Sequence, residues 1–491
     1  MTPLKVLFVT AEAAPFAKSG GLADVSFSLP NALAALGHDV RVILPLYPRI
    51  REQAEGLTPL EGSGRIVIPS ARHAFECGIA HARFPGATLD AYFIDCPALF
   101  NRAGIYTEDA DEHLRFTVLT RAAIELAQRW QWAPDIAHAH DWHTALLPLY
   151  LRTTYAWDRL FERTKSLLTI HNLGHQGVFG SHVLADLGLG EGSKLLHQED
   201  LKAGRINYLK TGLLHADKLS TVSPTYAREI QTPAFGFGLD DLLRARGADL
   251  HGILNGIDTD TWNPRTDPLL AARYSEKSLY RKEKNKQALL ESVGLPYAKG
   301  VPVLGIVSRL SHQKGIELLE GALPKLLAER DVRFVALGSG DPRYEGFLEG
   351  LAHAFPGKAR LWRGFNERLA HLVEAGSDLF LMPSLYEPCG LNQMYSQRYG
   401  TPPIARRTGG LADTVEPFDR ATGRGTGFVF EHFTATGLEW AIDAALEAYA
   451  DPKAWGQVVK NGMAREFGWE IEAPRYVDLY QSMLPAEARR S

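Results

Sequence analysis

Two stretches far apart in the chain repeat one chemical theme. Lys18-Ser19-Gly20-Gly21-Leu22-Ala23-Asp24-Val25 and Arg406-Arg407-Thr408-Gly409-Gly410-Leu411-Ala412-Asp413-Thr414-Val415 each place basic residues ahead of a Gly-Gly pair and a helix-like run. Paired glycines let the backbone pass close to a ligand, and the first free amides of the helix make a place for an anion. Phosphate is the natural guest. A tight strand-to-helix turn with a surface lysine explains the first stretch alone equally well, and chance similarity between short glycine-rich pieces is the alternative for the second. The repetition favours two nucleotide-binding-like α/β halves, each aiming a helix start into a shared cleft.

Other candidates stand at predicted strand ends. Ile136 to His140 reads as a strand that leaves Asp141 and His143 at its C-terminal mouth, and Leu167 to Ile170 leads into His171-Asn172-Leu173-Gly174-His175-Gln176-Gly177. Histidines this dense suggest a metal site, but the spacing is not His-Glu-x-x-His, and such residues equally suit hydrogen bonds to sugar hydroxyls. Satisfied core histidines account well for His138 and His140. After Val303 to Val307, Arg309 and Lys314 sit in a strand-to-helix loop, where two cations suit a diphosphate. After Leu379 to Met382, Glu387 lies between a strand end and a helix start, a carboxylate able to bind sugar hydroxyls and stabilise positive charge at an anomeric carbon. Gly338-Ser339-Gly340 lacks a third glycine and is weak dinucleotide evidence. Phe365 can stand beside a purine or be buried.

The elements needed to position these groups read as alternating strands and helices. Val6 to Val9 is a strand, and Leu22, Val25, Leu29, Leu33 and Leu36 recur as one apolar helical face, with Pro30 predicting a kink. Residues 64–93 alternate in short runs, as an antiparallel insertion would. Residues 112–130 form a long predicted helix. Ile253 to Asp258 reads as the last strand of the first domain, and residues 455–484 as a helical segment returning to it. The expected domains are 1–258, 259–460 and a C-terminal helical segment, 461–491.

With 491 residues, 45% hydrophobic and 22% charged, the chain has an ordinary globular composition, and a formal net charge of -4 gives no basic footprint for nucleic acid. Three scattered cysteines point away from a disulfide framework and toward a reducing compartment. No run approaches the ~20 apolar residues of a membrane span. The apolar start is too short for a signal peptide and Glu12 interrupts it, so a cytoplasmic protein without targeting extension is expected.

Taken together, Lys18 to Val25, His138 to His143, His171 to Gly177, Thr221 to Ile230, Asn255 to Asp258, Ser308 to Gly315, Ser384 to Gln393 and Arg406 to Val415 make the chain closely resemble the ADP-glucose-dependent bacterial glycogen synthases and plant starch synthases. The resemblance spans essentially the whole chain. It implies an α/β fold of two Rossmann-like domains facing a deep cleft, the B-type glycosyltransferase fold, with donor nucleotide on the C-terminal domain and α-1,4-glucan on the N-terminal one. It further implies retaining transfer of glucose from ADP-glucose to the non-reducing 4-hydroxyl of glycogen. Lys18, Gly20 and Gly21 would contact the donor diphosphate with Arg309, Lys314, Thr408, Gly409 and Gly410. Glu387 would hold the donor glucose, with Cys389 and Gly390 lining that pocket. His171 would lie near the reacting centre, and Asp141 and His143 on the acceptor side. No metal, pyridoxal phosphate or other cofactor is expected.

Three positions depart from relatives. Phe365 stands where Tyr is common beside the adenine, His175 where Tyr is common after Asn172-Leu173-Gly174, and Tyr395 where many B-type enzymes carry a second Glu. Rival readings are a non-catalytic glucan-binding protein of the same fold, a metal-dependent hydrolase built on the histidines, and a pyridoxal-phosphate phosphorylase. The lack of a transit peptide favours a bacterial source.

Overall fold

The computed structural model describes residues 3–62, 64–71 and 73–485. By contact the chain divides into two compact units, Met1–Gly256 with Trp469–Ser491, and Ile257–Gly468.

The first unit is built on parallel strands in the order Leu250–Gly252, Lys218–Thr221, Lys165–Ile170, Ile136–His140, Lys5–Val9, Asp39–Pro45 and Asp90–Asp95. Strand Ala74–Arg83 adds antiparallel to Asp90–Asp95, and Ile66–Pro69 and Thr58–Pro59 pair with it in turn, the antiparallel insertion the alternating pattern predicts. The order reverses between Lys5–Val9 and Ile136–His140. At such a switch point the loops leaving the two strands diverge and leave a crevice at their carboxyl ends. Those loops carry Lys18 on one side and Asp141 on the other.

The helix after the first loop runs Gly21–Ala35 and buries Leu22, Val25, Leu29 and Leu33, the apolar face read from the sequence. Pro30 lies inside this helix, which is continuous through it. The helix Glu112–Arg129 matches its predicted span. The last parallel strand is Leu250–Gly252 rather than 253–258, because only Ile253 beyond it still donates to the ladder, at Thr221 O.

The second unit is a six-stranded parallel sheet in the order Ala359–Arg363, Arg333–Gly338, Val303–Val307, Leu379–Met382, Pro403–Arg406 and Phe428–Phe430. Period-two alternation fills both faces. Leu304, Ile306, Phe334, Ala336, Leu379 and Leu381 belong to one core, and Val303, Val335, Leu337, Phe380 and Met382 to the other. The order reverses between Val303–Val307 and Leu379–Met382, so the loops holding Lys314 and Glu387 leave adjacent strands at this unit's own switch point.

The expected helical segment 455–484 is two helices, Pro452–Met463 and Trp469–Met483. Between them Phe467 O accepts the Ile257 N–H at 2.8 Å, within an isolated parallel bridge of Ile257 to Gly468. The second helix packs on Gly21–Ala35. No helix among the described residues is long and apolar enough to cross a membrane.

Candidate active site

In the second unit the site grows from two adjacent strand ends. The loop after Val303–Val307 ends in a turn that carries Lys314, and the loop after Leu379–Met382 carries Glu387. Lys314 Nζ donates to both carboxylate oxygens of Glu387, at 2.9 and 2.7 Å, and Ser384 Oγ donates to one of them at 2.9 Å. Glu387 is 4% exposed. A buried carboxylate is costly unless its lone pairs are engaged, and here a cation and a hydroxyl engage them.

The Gly409-Gly410 pair fits against this loop from behind. Gly409 has φ +43, and a Cβ there would fall 1.9 Å from Glu387 O; one at Gly410 would fall 2.1 Å from Cys389 O. No other residue type allows that approach. Gly410 N–H donates to the carbonyl oxygens of Glu387 and Pro388, at 3.0 and 3.2 Å, so this amide is committed to shaping the carboxylate loop. Gln393 fastens the same loop from the following helix: its Nε2 lies 2.9–3.0 Å from Cys389 O, Gly390 O and Thr414 Oγ1, which share its two N–H donors. Cys389 is buried, and Gly390 has φ +73. The role of Gln393 was not foreseen from the sequence; its position, directly after a loop that holds Pro388 and Gly390, was the available signal.

Arg309 is exposed, with no carboxylate partner among the described residues. Phe365 is 78% exposed at the end of strand Ala359–Arg363, so its ring is not spent on the core.

In the first unit, Lys18 pairs with Asp24 at 2.6 Å and remains 43% exposed. The loop it stands on is held by Glu12, whose Oε2 accepts the Ser19 N–H at 2.5 Å. Glu12 is a second residue missed in the sequence, where it was noted only for breaking an apolar run. Burial pushes its carboxyl up to about 7. Gly20 is extended, and a Cβ there would meet nothing within 4 Å, so no protein contact demands a glycine at this position.

Asp141 is buried, with φ +55, and its Oδ1 accepts the backbone amides of His171 at 2.7 Å and Asn172 at 3.3 Å. It thereby ties together two successive strand ends. Desolvation pushes its carboxyl up to about 7, offset in part by those two amides. His171 is 9% exposed, and burial lowers its imidazole to about 3, so it is neutral. Its Nε2 lies 2.9 Å from His140 Nδ1. His143 packs edge-on to Phe116 and stacks on Tyr106 at 4.6 Å. His138 uses both ring nitrogens, on Tyr480 OH at 2.8 Å and Thr169 Oγ1 at 2.6 Å, as a satisfied core histidine does. Among the described residues no group of three or more His, Cys, Asp or Glu side chains is gathered as a metal site.

Each unit therefore presents, at its own switch point, a glycine-bearing loop with a cation and a buried, anchored carboxylate. Such a set can hold an anionic leaving group and stabilise charge at a sugar carbon.

Residues 5–245 match the family model of the starch synthase catalytic domain, and residues 292–461 that of glycosyl transferases group 1. The chain is 45% identical to glycogen synthase 1 of Geobacter metallireducens, over 98% of this chain and 96% of that protein. It is 43% identical to glycogen synthase of Bacillus cereus, over 98% and 100%. Among solved structures, the catalytic domain of starch synthase IV from Arabidopsis thaliana, bound to ADP and acarbose, aligns with a TM-score of 0.91 and 36% identity, over 98% of this chain and 99% of that one. Sucrose-phosphate synthase from Thermosynechococcus elongatus aligns at 0.61 and 19% identity over 97% and 98%, a likeness of fold alone.

Proposed function

Because the chain belongs to the family of bacterial glycogen synthases and plant starch synthases, we propose that its glucosyltransferase reaction moves glucose from ADP-glucose to the non-reducing 4-hydroxyl of an α-1,4-glucan, with retention at the anomeric carbon. The observation that carries the reading is the buried Glu387, held by Lys314 and Ser384 at the switch point of the second unit. The ADP bound by the starch synthase IV catalytic domain supports an ADP-bearing donor, and the acarbose bound there supports a glucan acceptor.

In this reaction the bond between C1 of glucose and the β-phosphate oxygen breaks, and negative charge grows on ADP. Arg309 and Lys314 of the second unit supply the countercharge, with the Thr408-Gly409 turn of the same unit, and the family resemblance assigns Lys18 to the same diphosphate. Preorganised cations of this kind lower the barrier without a metal ion, and the reaction needs neither a metal nor pyridoxal phosphate. Glu387 carries negative charge beside the sugar and steadies the oxocarbenium-like carbon. Both its oxygens are already tied, a posture suited to charge stabilisation more than to forming a covalent bond. The acceptor 4-hydroxyl then bonds to C1 on the face the phosphate leaves, and its proton passes to the departing phosphate. Asp141 and His143 take the acceptor side, His171 lies near the reacting centre, and Phe365 stacks on the adenine.

The test is nucleotide release from ADP-glucose and UDP-glucose, with and without glycogen, in the presence of chelator. Release from ADP-glucose that requires glycogen, lengthens it and survives chelation supports the reading. Retained glycogen binding with no release from either donor overturns it.

A further inference from the structure

We propose that His140 is a positioning residue that fixes the tautomer of His171, so that His171 offers Nδ1–H as a hydrogen-bond donor to a sugar oxygen. His140 ends the strand Ile136–His140 opposite Thr169, and His171 follows the neighbouring strand Lys165–Ile170. The single hydrogen bond between the rings joins His140 Nδ1 to His171 Nε2 at 2.9 Å. His140 is fully buried, and its other nitrogen, Nε2, is enclosed with no hydrogen-bond partner.

Burial holds both imidazoles neutral, the one group facing His140 besides His171 being His138, also held well below its ordinary value. Each ring therefore has one N–H and one bare nitrogen. Two arrangements satisfy the shared bond. If His171 donates from Nε2, the proton of His140 must sit on its own Nε2, an N–H sealed in the core without an acceptor. If His140 donates from Nδ1, its Nε2 is bare, and His171, accepting at Nε2, carries its proton on Nδ1. Orphaned buried N–H groups are rarer and costlier than under-used acceptors, so the second arrangement holds.

The surroundings leave no escape from this choice. Phe8 lies tilted against the His140 ring at 4.0 Å and 33°, and its phenyl ring has no lone pair to accept an Nε2–H. His138, 4.0 Å away, has both nitrogens committed to Tyr480 and Thr169. The His171 backbone is anchored too, since Asp141 accepts its amide. Its Nδ1 has no protein partner among the described residues, so the donor is left for a ligand.

The consequence for sugar binding rests on the proposed synthase reaction; the tautomer itself does not. Histidine 15N labelling and long-range 1H–15N correlation spectra of the whole enzyme without substrate read the tautomer directly, with the His140→Asn spectrum assigning His140. Both His140 and His171 are expected in the Nδ1–H form, and His171 in the Nε2–H form overturns the inference. His140→Phe keeps the ring volume but removes the donor, and turnover should fall about 10- to 100-fold with donor KM nearly unchanged, as losses of an orienting partner generally do. His140→Asn, whose amide can still donate to His171, should recover most of that loss and keep the His171 signal in place. Full turnover in a folded His140→Phe variant also overturns the positioning role. If His140→Phe does not fold, the wild-type spectrum and His140→Asn decide the matter. An enzyme inactive on ADP-glucose but with Nδ1–H on His171 removes the donor assignment while upholding the tautomer.

Discussion

Lys314 Nζ sits within 3 Å of both carboxylate oxygens of Glu387, across 73 positions of sequence. The pair joins the two loops at the reversal of the strand order, so one contact fixes both the charge and the geometry of the proposed donor site.

Replacing Glu387 with Ala should lower turnover about 100-fold or more, the scale of losing a preorganised electrostatic group, while ADP affinity measured by calorimetry changes little. Replacing Lys314 with Ala should act on both. Donor KM should rise, and the melting temperature should fall, because a buried carboxylate loses its cation, at a cost of about 1–3 kcal/mol. Unchanged turnover in Glu387→Ala contradicts its assigned role.

Gln393→Leu should raise donor KM and reduce turnover without touching any proposed substrate contact directly. The substitution removes the two N–H donors that Cys389 O, Gly390 O and the Thr414 hydroxyl share, worth about 1–3 kcal/mol of stability in thermal melts. A variant with wild-type donor KM would show that the loop holds its shape without this anchor.

These anchors mark the limit of what the sequence reveals. Strand, glycine turn and helix were legible at Lys5 to Ala35 because a short continuous apolar run, Val6 to Val9, gives way after the glycines to an apolar period of about 3.6. Glu387 and Lys314 were legible as strand-end polar residues, but their pairing was not, since nothing local encodes a contact over 73 residues. Side chains that hold a loop from outside, such as Glu12 and Gln393, resemble ordinary polar residues until the fold brings the loop to them. The break between Met463 and Trp469 was missed as well; the segment between them bridges to Ile257, some two hundred residues earlier in the chain.

The buried Asp141 gives a stability signature in pH. Its carboxyl is raised from 3.8 to about 7, so between those values the folded state holds a proton that the unfolded chain releases. Its contribution is therefore lost as pH rises from about 4 to about 7, by at most about 1.4 kcal/mol per pH unit. Asp141→Asn keeps an acceptor for the His171 and Asn172 amides but cannot ionise. Thermal melts should show the variant gaining on wild type across that window and holding a constant difference above it. A difference independent of pH would mean that Asp141 does not titrate there.

Phe365→Ala should separate binding from folding. With the ring 78% exposed, stability should stay within about 0.5 kcal/mol of wild type. Loss of stacking on adenine should raise donor KM roughly tenfold, and Phe365→Tyr should restore or improve it. Equal KM values for all three would remove the aromatic from the donor site.

The most direct test of the central claim is a proton NMR time course of ADP-glucose with a short maltooligosaccharide. The account predicts that the first new anomeric signal is that of an α-1,4 linkage at the non-reducing end, rising as ADP-glucose falls and ADP appears. A β-linked product, or free glucose in place of a longer chain, would contradict it.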